Sequence, residues 1–405
     1  MKRITWVFAA LATIGYCHSA RADEPTTPSY AQRILEGKTP VEPQSPIQQA
    51  GCSSCGGGIS AITSSIGGGG GCGCGNEEQE CGNGCPTGKC KPGRRCGTCY
   101  GDFERPDECT GKCSRLFGGI FDCLCCPDPC YEPCWRPVAN SAFFTDAARP
   151  RSTMMLRYDA GMNFTMPDRN EYFWARTGTG GKGPPAVESR LNYQELRLYT
   201  EAGNGGFSAI FEMPYRVVDP SVNPYDAGWA DLMIGTKALM VDCELMQIAF
   251  EFKTFIPTGS SRQGFGTGHV SLEPSLLGTL KIAPKTYLQT QISEWIPIGG
   301  DNDFAGCILH YHTSLNHVLC CKGAFQLVGT SEFFGYTFQD GLTHNPPGLG
   351  LPDVVKSSGE SIWYVGPGLR LFYCDKYDVG FSAAFSVSDD HFADQLYRLE
   401  FRYRF

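Results

Sequence analysis

The sequence is poor in positive charge and, beyond its first twenty residues, has no long apolar run. It carries 34 Lys and Arg against 42 Asp and Glu, so it offers no broad cationic surface to a phosphate backbone, and we expect no nucleic-acid partner. The absence of any stretch of about 18 consecutive apolar residues excludes a bundle of membrane-spanning helices. It does not exclude a membrane β-barrel, because barrel strands are apolar on one face only.

The amino terminus has the pattern of a secretory signal. Lys2 and Arg3 precede an apolar run at 4–16, and Ala22 ends a small-x-small site for signal peptidase. We therefore expect residues 1–22 to be a signal peptide that is cleaved near Ala22. The mature chain would then be exported, to a compartment in which cysteines oxidise to disulfides.

The next part of the chain has too few aliphatic residues for a core. Residues 23–50 are rich in Pro, Gln, Ser and Thr, which predicts a linker. Residues 51–135 form a Cys- and Gly-rich low-complexity segment that holds sixteen of the 22 cysteines. A second linker is expected at 136–150, before a β-barrel domain at 151–405.

The cysteine-rich segment has two chemical interpretations. Pairs such as Cys52-x-x-Cys55 have the spacing of a zinc ribbon. Histidine is absent between His18 and His269, and export favours disulfides over metal ligation. We expect disulfides of unknown connectivity, with metal binding as the alternative, and no cofactor.

From about residue 151 onwards, apolar side chains recur at every second position. This alternation is clearest at 154–164, 246–253, 377–387 and 397–405, and it is the period of a β-strand. Extended over the whole region, it predicts twelve strands, near 153–165, 191–200, 207–214, 229–240, 245–256, 270–281, 286–296, 306–317, 323–336, 361–373, 377–387 and 396–405.

The predicted connections alternate between short and long. Bacterial outer-membrane barrels combine an even number of antiparallel strands with short turns on one rim and long loops on the other. We therefore predict an all-β fold, an antiparallel outer-membrane-type barrel of about twelve strands, located in the cell outer membrane with lipid around it. A soluble β-sandwich, whose apolar face is an ordinary core, is the alternative.

The cost of placing charge in lipid decides which face of the strands is the inner one. An arginine that faces hydrocarbon at the bilayer midplane costs roughly 2 to 4 kcal/mol. Arg398, Glu400 and Arg402 must therefore face the lumen, and the same reasoning applies to Glu251 and Lys253. A ring of mixed charge of this kind would set the selectivity of a channel.

The eighth predicted strand carries a polar row at His310, His312, Ser314 and Asn316. The set is similar to the Ser-His-Asn site of outer-membrane phospholipase, which is the best catalytic lead in the sequence. The row points into the lumen, away from any lipid ester, so we favour a polar lining at His310 and His312 and expect no enzyme. A metal shared by the two histidines is a weaker alternative, because no nearby carboxylate or thiol completes the site.

Short motifs occur together between residues 228 and 280. They read Gly-Trp-Ala-Asp-Leu at 228–232, Gly-Thr-Lys at 235–237, Pro-Thr-Gly at 257–259, Gly-Phe-Gly-Thr-Gly at 264–268 and Pro-Ser-Leu-Leu at 274–277. The set resembles the outer-membrane protein family named for the MetA pathway of phenol degradation, whose members are described as transporters. The family's usual Gly-Asp is Ala-Asp here, and the cysteine-rich extension has no counterpart in it, so its substrate class is not carried over.

Two features of the chain suggest partners. The aromatic strand that ends at Phe405 resembles the signal by which the outer-membrane assembly machinery recognises its clients. Four cysteines, Cys243, Cys320, Cys321 and Cys374, fall in the predicted short turns, on the rim where the cysteine-rich segment must also lie. We expect some of them to form disulfides with that segment, or to link the barrel to other envelope proteins.

The sequence therefore favours a passive outer-membrane channel or transporter for small solutes, with a disulfide-rich extension. The alternative is a structural envelope protein, in which the barrel is an anchor and the extension forms intermolecular disulfides. An outer-membrane lipid hydrolase is the third and weakest interpretation.

Overall fold

An antiparallel β-sheet that closes on itself dominates the structure. The structure is a computed structural model. It describes residues 137–405, apart from 166, 168–172, 205, 243–245, 284, 302, 323, 345–353, 375 and 390–391. The predicted signal peptide, the linker at 23–50, the cysteine-rich segment at 51–135 and Cys243 lie outside the described residues.

Twelve long strands form the wall of the barrel, and three short strands lie in its loops. The long strands are β1 (Thr153–Phe164), β2 (Leu191–Gly203), β3 (Phe207–Pro220), β5 (Leu232–Asp242), β6 (Met246–Ile256), β7 (Val270–Ala283), β8 (Thr286–Ile298), β9 (Ile308–Lys322), β10 (Phe325–Phe338), β13 (Ser361–Tyr373), β14 (Tyr377–Ser386) and β15 (Gln395–Arg404). The short strands are β4 (Asp226–Trp229), β11 (Leu342–His344) and β12 (Val354–Lys356).

Hydrogen bonding closes the sheet. Strand β1 pairs with β2 on one side and with β15 on the other, and every other long strand also pairs with two neighbours. At the seam, Leu156 lies opposite Phe401 and Arg157 lies opposite Glu400. The predicted fold class, an antiparallel barrel of twelve strands, is confirmed, and the sandwich alternative is wrong.

The connections divide between two rims. We call one the short-turn rim, which carries the connections at 204–206, 243–245, 284–285, 323–324 and 374–376. The other is the long-loop rim, which carries those at 165–190, 221–231, 257–269, 299–307, 339–360 and 387–394. Strand β1 begins and β15 ends at the short-turn rim, as the sequence predicts.

The two faces of the wall differ in chemistry. Along β13, Leu369 and Leu371 are exposed on the outer face, whereas Arg370 and Phe372 between them are buried on the inner face. The same alternation places exposed large apolar side chains around the outside of the barrel, among them Leu156, Leu196, Phe211, Ile234, Leu315, Phe381 and Leu399. No helix among the described residues is long and apolar enough to cross a membrane.

The inner face carries buried ion pairs. Arg370 has no exposed surface, and its guanidinium lies 2.7 Å from Asp378 and 2.7 Å from Glu400. Arg402 also pairs with Glu400, and Arg404 pairs with Asp378. The pairing of neighbouring strands brings these residues together from β13, β14 and β15. Their burial is tolerable because each charge has a partner, whereas an unpaired buried charge is very costly.

Residues 137–149, which come shortly before β1, lie inside the barrel, and we call them the lumenal segment. It begins with a short 3-10 helix, Pro137–Asn140, whose Val138 and Ala139 pack on apolar side chains near the short-turn rim. It then turns within the lumen and returns to the same rim, where Arg149 pairs with Asp242.

The long-loop end of the lumen is filled with aromatic side chains. Phe173 and Trp174, from the first long loop, are almost completely buried. The ring of Phe173 lies 4.6 Å from Phe164 at the end of β1, and Phe164 stacks in turn on Phe392. We call this group the aromatic cap, and it comprises Phe164, Phe173, Trp174, Phe265 and Phe392.

The buried ion pairs predict a large effect of one substitution. Arg370→Met should lower the free energy of unfolding by about 3 kcal/mol, because Asp378 and Glu400 each lose a buried cationic partner. Urea unfolding of the barrel in detergent measures this change. The control Arg190→Met alters an exposed arginine in a long loop and should leave the midpoint unchanged. Equal midpoints for both variants would contradict the role given to the network.

Candidate functional site

A single carboxylate on the barrel wall holds the middle of the lumenal segment. Glu332, on β10, accepts hydrogen bonds from the backbone amides of Phe143 at 2.6 Å, Phe144 at 2.9 Å and Thr145 at 3.1 Å. Glu332 is buried, and a buried carboxylate needs donors of this kind to offset the loss of water. The segment supplies them from its backbone.

Cationic side chains of the wall bind the carbonyl groups of the same segment. Arg370 donates to the carbonyl of Ser141 at 2.9 Å, and Arg398 donates to that of Phe143 at 2.5 Å. Arg402 donates to the carbonyl of Asn140 at 2.8 Å. Donors and acceptors of the segment are therefore both satisfied by the wall, which fixes the segment in one position.

The ring of Phe143 occupies a socket on the inner wall. Gly368 and Gly380 form its base, and a Cβ atom on either would collide with the ring. The guanidinium of Arg370 lies 4.1 Å from the centre of the ring on another side. Two glycines on adjacent strands, β13 and β14, thus make room for one aromatic side chain of the segment.

The returning half of the segment carries its own ion pair. Asp146 lies 2.6 Å from Lys253 on β6, and its amide donates to Gln291 on β8 at 2.9 Å. Lys253 also contacts Glu251 at 3.0 Å, and Glu251 lies 3.4 Å from Lys237. The segment is therefore bound to β6 and β8 as well as to β10 and β13.

The residues predicted from the sequence to line the lumen all lie on the inner face. Glu400 and Arg402 are in direct contact, and Arg398 pairs with Asp159. Glu251 and Lys253 form a separate pair on β6. These charges do not form one open ring, because each is engaged by the wall or by the lumenal segment. Their role in selecting a solute remains a prediction.

The polar row on β9 does not have the geometry of a hydrolase. Ser314 donates to Asn316 at 3.1 Å, whereas the Nδ1 atom of His312 donates to the carbonyl of Phe144 at 2.6 Å. A serine nucleophile would need a hydrogen bond to the histidine, and Ser314 instead joins a network that continues from Asn316 to Gln289. His310 lies 3.3 Å from Glu273. Among the described residues, no group of three or more His, Cys, Asp or Glu side chains could hold a metal ion.

A cavity of about 190 Å³ remains between the lumenal segment and the aromatic cap. Phe144 and Asp146 of the segment form its floor, and Phe265 and Thr267 of a long loop form its roof. A smaller cavity of about 50 Å³ lies between the segment and the short-turn rim, beside Lys237. We call these two cavities, which lie on either side of the segment, the larger and the smaller chamber.

The motifs that resemble the transporter family are brought together at the long-loop rim. The carboxylate of Asp231 accepts hydrogen bonds from the amides of Gly259 and Thr267, both at 2.9 Å. Gly266 lies so close to this carboxylate that a Cβ atom would collide with it. Burial raises the pKa of Asp231, and the two amide hydrogen bonds partly oppose that rise. In this chain the motif closes a loop, and Phe265 is thereby placed in the cap.

Several residues of the site gave no signal in the sequence. Glu332 and Arg370 contact the backbone of the lumenal segment, and backbone groups leave no pattern from which such contacts could be inferred. Phe143 and Phe144 were the one available hint, since two adjacent aromatic residues are unusual in a linker. Sequence reasoning treated 136–150 only as a connection.

Three of the four predicted turn cysteines are described. Cys320 and Cys321 lie near the end of β9, where they pair with β10, and not in the turn as the sequence predicts. Cys374 follows β13, so all three lie at the short-turn rim. Cys320 is exposed and carries a free thiol. Disulfides between these residues and the extension remain a prediction, and Cys243 lies outside the described residues.

Comparisons with known proteins identify solved structures but no family. No protein-family model matches the chain, and no curated protein matches it. An outer membrane channel from Pseudomonas putida F1 is 11% identical, covers 67% of this chain and 100% of that one, and gives a TM-score of 0.43. The NanC porin is 7% identical, covers 62% and 100%, and gives a TM-score of 0.37.

A third structure is the β domain of the Bordetella autotransporter BrkA. It is 11% identical, covers 63% of this chain and 100% of that one, and gives a TM-score of 0.39. TM-scores below 0.5 carry no argument about what this chain does, and the predicted membership of the MetA-pathway family is not confirmed.

The role of Asp231 can be tested by substitution. Asp231→Asn replaces one carboxylate oxygen with an NH₂ group, which faces the backbone N–H of Gly259 or of Thr267 and cannot accept its hydrogen bond. The loop at 257–268 then loses one of the hydrogen bonds that close it and should open more often. Leaving such a buried group unsatisfied costs about 1 to 3 kcal/mol. Trypsin should therefore cleave faster after Arg262, which is exposed in this loop, as followed by mass spectrometry. Asp219→Asn, on an exposed position of β3, is the matched control, and equal cleavage rates would refute the assignment.

Proposed function

We propose that this protein is an outer-membrane β-barrel through which small solutes cross. The observation that carries the proposal is the apolar outer face of a closed barrel with a charged interior. Exposed apolar patches of this extent cover the surface of proteins that contact lipid and are rare on soluble monomers. Exposed aromatic residues at the short-turn rim, such as Phe325, Tyr373, Tyr377 and Tyr403, suit the lipid-water interface.

The passage of solutes is supported by the inner wall and the motifs. The wall is polar at both chambers, and the motif set around Asp231 resembles a family described as transporters. Residues Glu251, Lys253, Arg398, Glu400 and Arg402 would line the route. The proposal assigns no chemical reaction to the barrel.

The lumenal segment has to move before solutes can pass. It is held mainly through hydrogen bonds between its backbone and charged side chains of the wall, each worth about 1.5 to 3 kcal/mol net, because water can replace part of each interaction. The wall charges that bind it also pair with one another, as Arg370 does with Asp378. Withdrawal of the segment would therefore leave the arginines and Lys253 of the wall paired, and Glu332 would exchange the amides of the segment for water, which makes the segment a reversible closure.

A second candidate function is supported by the same filled lumen. A barrel that is closed by the lumenal segment and by the aromatic cap would serve as an anchor. The cysteines at the short-turn rim and those of the extension would then join it to other envelope proteins. A passive anchor needs no route through its lumen. The two functions therefore differ in whether the barrel conducts solutes or ions once the segment is removed.

Current through single barrels in a planar bilayer distinguishes them. Replacing residues 141–146 by alternating Gly and Ser, together with Glu332→Ala, keeps the length of the chain. It removes the ring of Phe143, the carboxylate of Asp146 and the wall carboxylate that accepts three amides of the segment. We expect sustained open current from this variant and a closed state in the native protein. The matched control makes the same replacement at 221–225, in a long loop, and should conduct like the native protein.

The result that would overturn the channel is a variant that inserts, migrates as a folded barrel in an unheated gel and still carries no current. That result would favour the anchor. Recordings with and without reductant show in addition whether disulfides of the extension affect the closed state.

A further inference from the structure

We infer that the larger lumenal chamber binds one neutral, polyhydroxylated ring, with the size and chemistry of a single uncharged sugar. This inference rests on the proposed function and names the class of solute. It follows from three properties of the chamber: the pairing of its charges, the position of its aromatic rings and its volume.

Every cationic side chain that lines the chamber is paired with a carboxylate, and two of these carboxylates, Glu400 and Asp159, lie outside the lining. Five cationic and five acidic residues line it. Arg197 lies 2.9 Å from Glu212, and Arg216 lies 2.6 Å from Glu195. The remaining cations are paired as well, Arg157 with Glu400, Lys253 with Asp146 and Arg398 with Asp159.

A charged ligand is therefore disfavoured. It would have to bring its charge into the chamber without a counter-ion, or displace a carboxylate from an existing pair. The paired wall still offers guanidinium N–H donors beside carboxylate acceptors, and a hydroxyl group can bind both, since it donates and accepts. The polar wall thus favours several hydroxyl groups over one charge.

Aromatic rings line another part of the chamber. Phe255, Tyr336 and His312 come from β6, β10 and β9, and the polar residues Lys253, Glu273 and Gln291 of β6, β7 and β8 lie among them. The rings support one another, because Phe255 lies 4.3 Å from Trp295 and His312 lies 5.9 Å from Tyr336. The face of one such ring can pack against the C–H side of a sugar ring, while the hydroxyl groups at the edge of the sugar reach the ion pairs.

The polar wall and the volume of the chamber disfavour two other kinds of neutral ligand, a plain aromatic molecule and a large molecule. A plain aromatic molecule would stack on Phe255 but would remove water from the polar wall without replacing its hydrogen bonds, which is costly. A volume of about 190 Å³ is below the roughly 300 to 1,000 Å³ of sites for drug-sized ligands. The volume of the chamber therefore matches one ring.

Equilibrium binding to the purified full-length protein tests the inference, in a detergent without a sugar head group. The probes are methyl β-glucoside, glucuronate as the same ring with a carboxylate, and benzoate as an aromatic acid. We expect methyl β-glucoside to bind more tightly than either acid. Absence of glucoside binding, or binding of either acid with equal or greater affinity, would overturn the inference.

Two variants locate the site. Phe255→Leu keeps an apolar side chain but removes the ring, and it should weaken glucoside binding about tenfold. Phe381→Leu makes the same change on the outer face and should have no effect. Glu212→Gln leaves the wall with an excess positive charge, so it should shift preference toward glucuronate. Equal glucoside affinity in Phe255→Leu and Phe381→Leu would place binding elsewhere and overturn the assignment.

The ligand site and the channel can be refuted separately. Glucoside binding without current from the unplugged variant would refute the channel and keep the ligand site, whereas current without glucoside binding would keep the channel and refute the site.

Discussion

The need to neutralise charge inside a closed barrel governs the whole arrangement. Twelve strands enclose a narrow lumen, and their inner positions carry arginine, lysine and carboxylate side chains at high density. Within such a space, each charge requires a partner. Most find it on a neighbouring strand, as Arg370 does in Asp378 and Glu400. Glu332 finds it in the backbone amides of the lumenal segment. The segment is therefore part of the electrostatic structure of the wall.

The strands and their inner and outer faces could be predicted from the sequence because both follow from a local period of two. One alternation defines the strand, and the cost of charge in lipid then assigns its faces, so Arg398, Glu400 and Arg402 could be placed before the fold was known. The lumenal segment could not be predicted in this way. Its contacts run from side chains such as Glu332 to backbone groups almost 190 residues away in the chain, and backbone groups are the same in every sequence.

The motifs between residues 228 and 280 likewise shape the loops at the long-loop rim and do not supply reactive groups. Asp231, Gly259 and Gly266 form a tight loop in which a carboxylate replaces missing backbone partners. That loop places Phe265 in the aromatic cap, so the motif residues shape the chamber from outside it. The polar row at His312 and Ser314 similarly looked like a catalytic set, and it serves instead to hold the segment and to complete a hydrogen-bond network. Both cases show side chains that organise backbone around a lumen.

Hydrogen exchange at the lumenal segment tests the central claim most directly. In the intact protein in detergent, the amides of Phe143, Phe144 and Thr145 should exchange as slowly as those of the barrel strands, since Glu332 accepts all three. The substitution Glu332→Ala should accelerate exchange in residues 141–149 and leave the strands protected. Exchange within seconds in the native protein, at the rate of a solvated loop, would contradict the account.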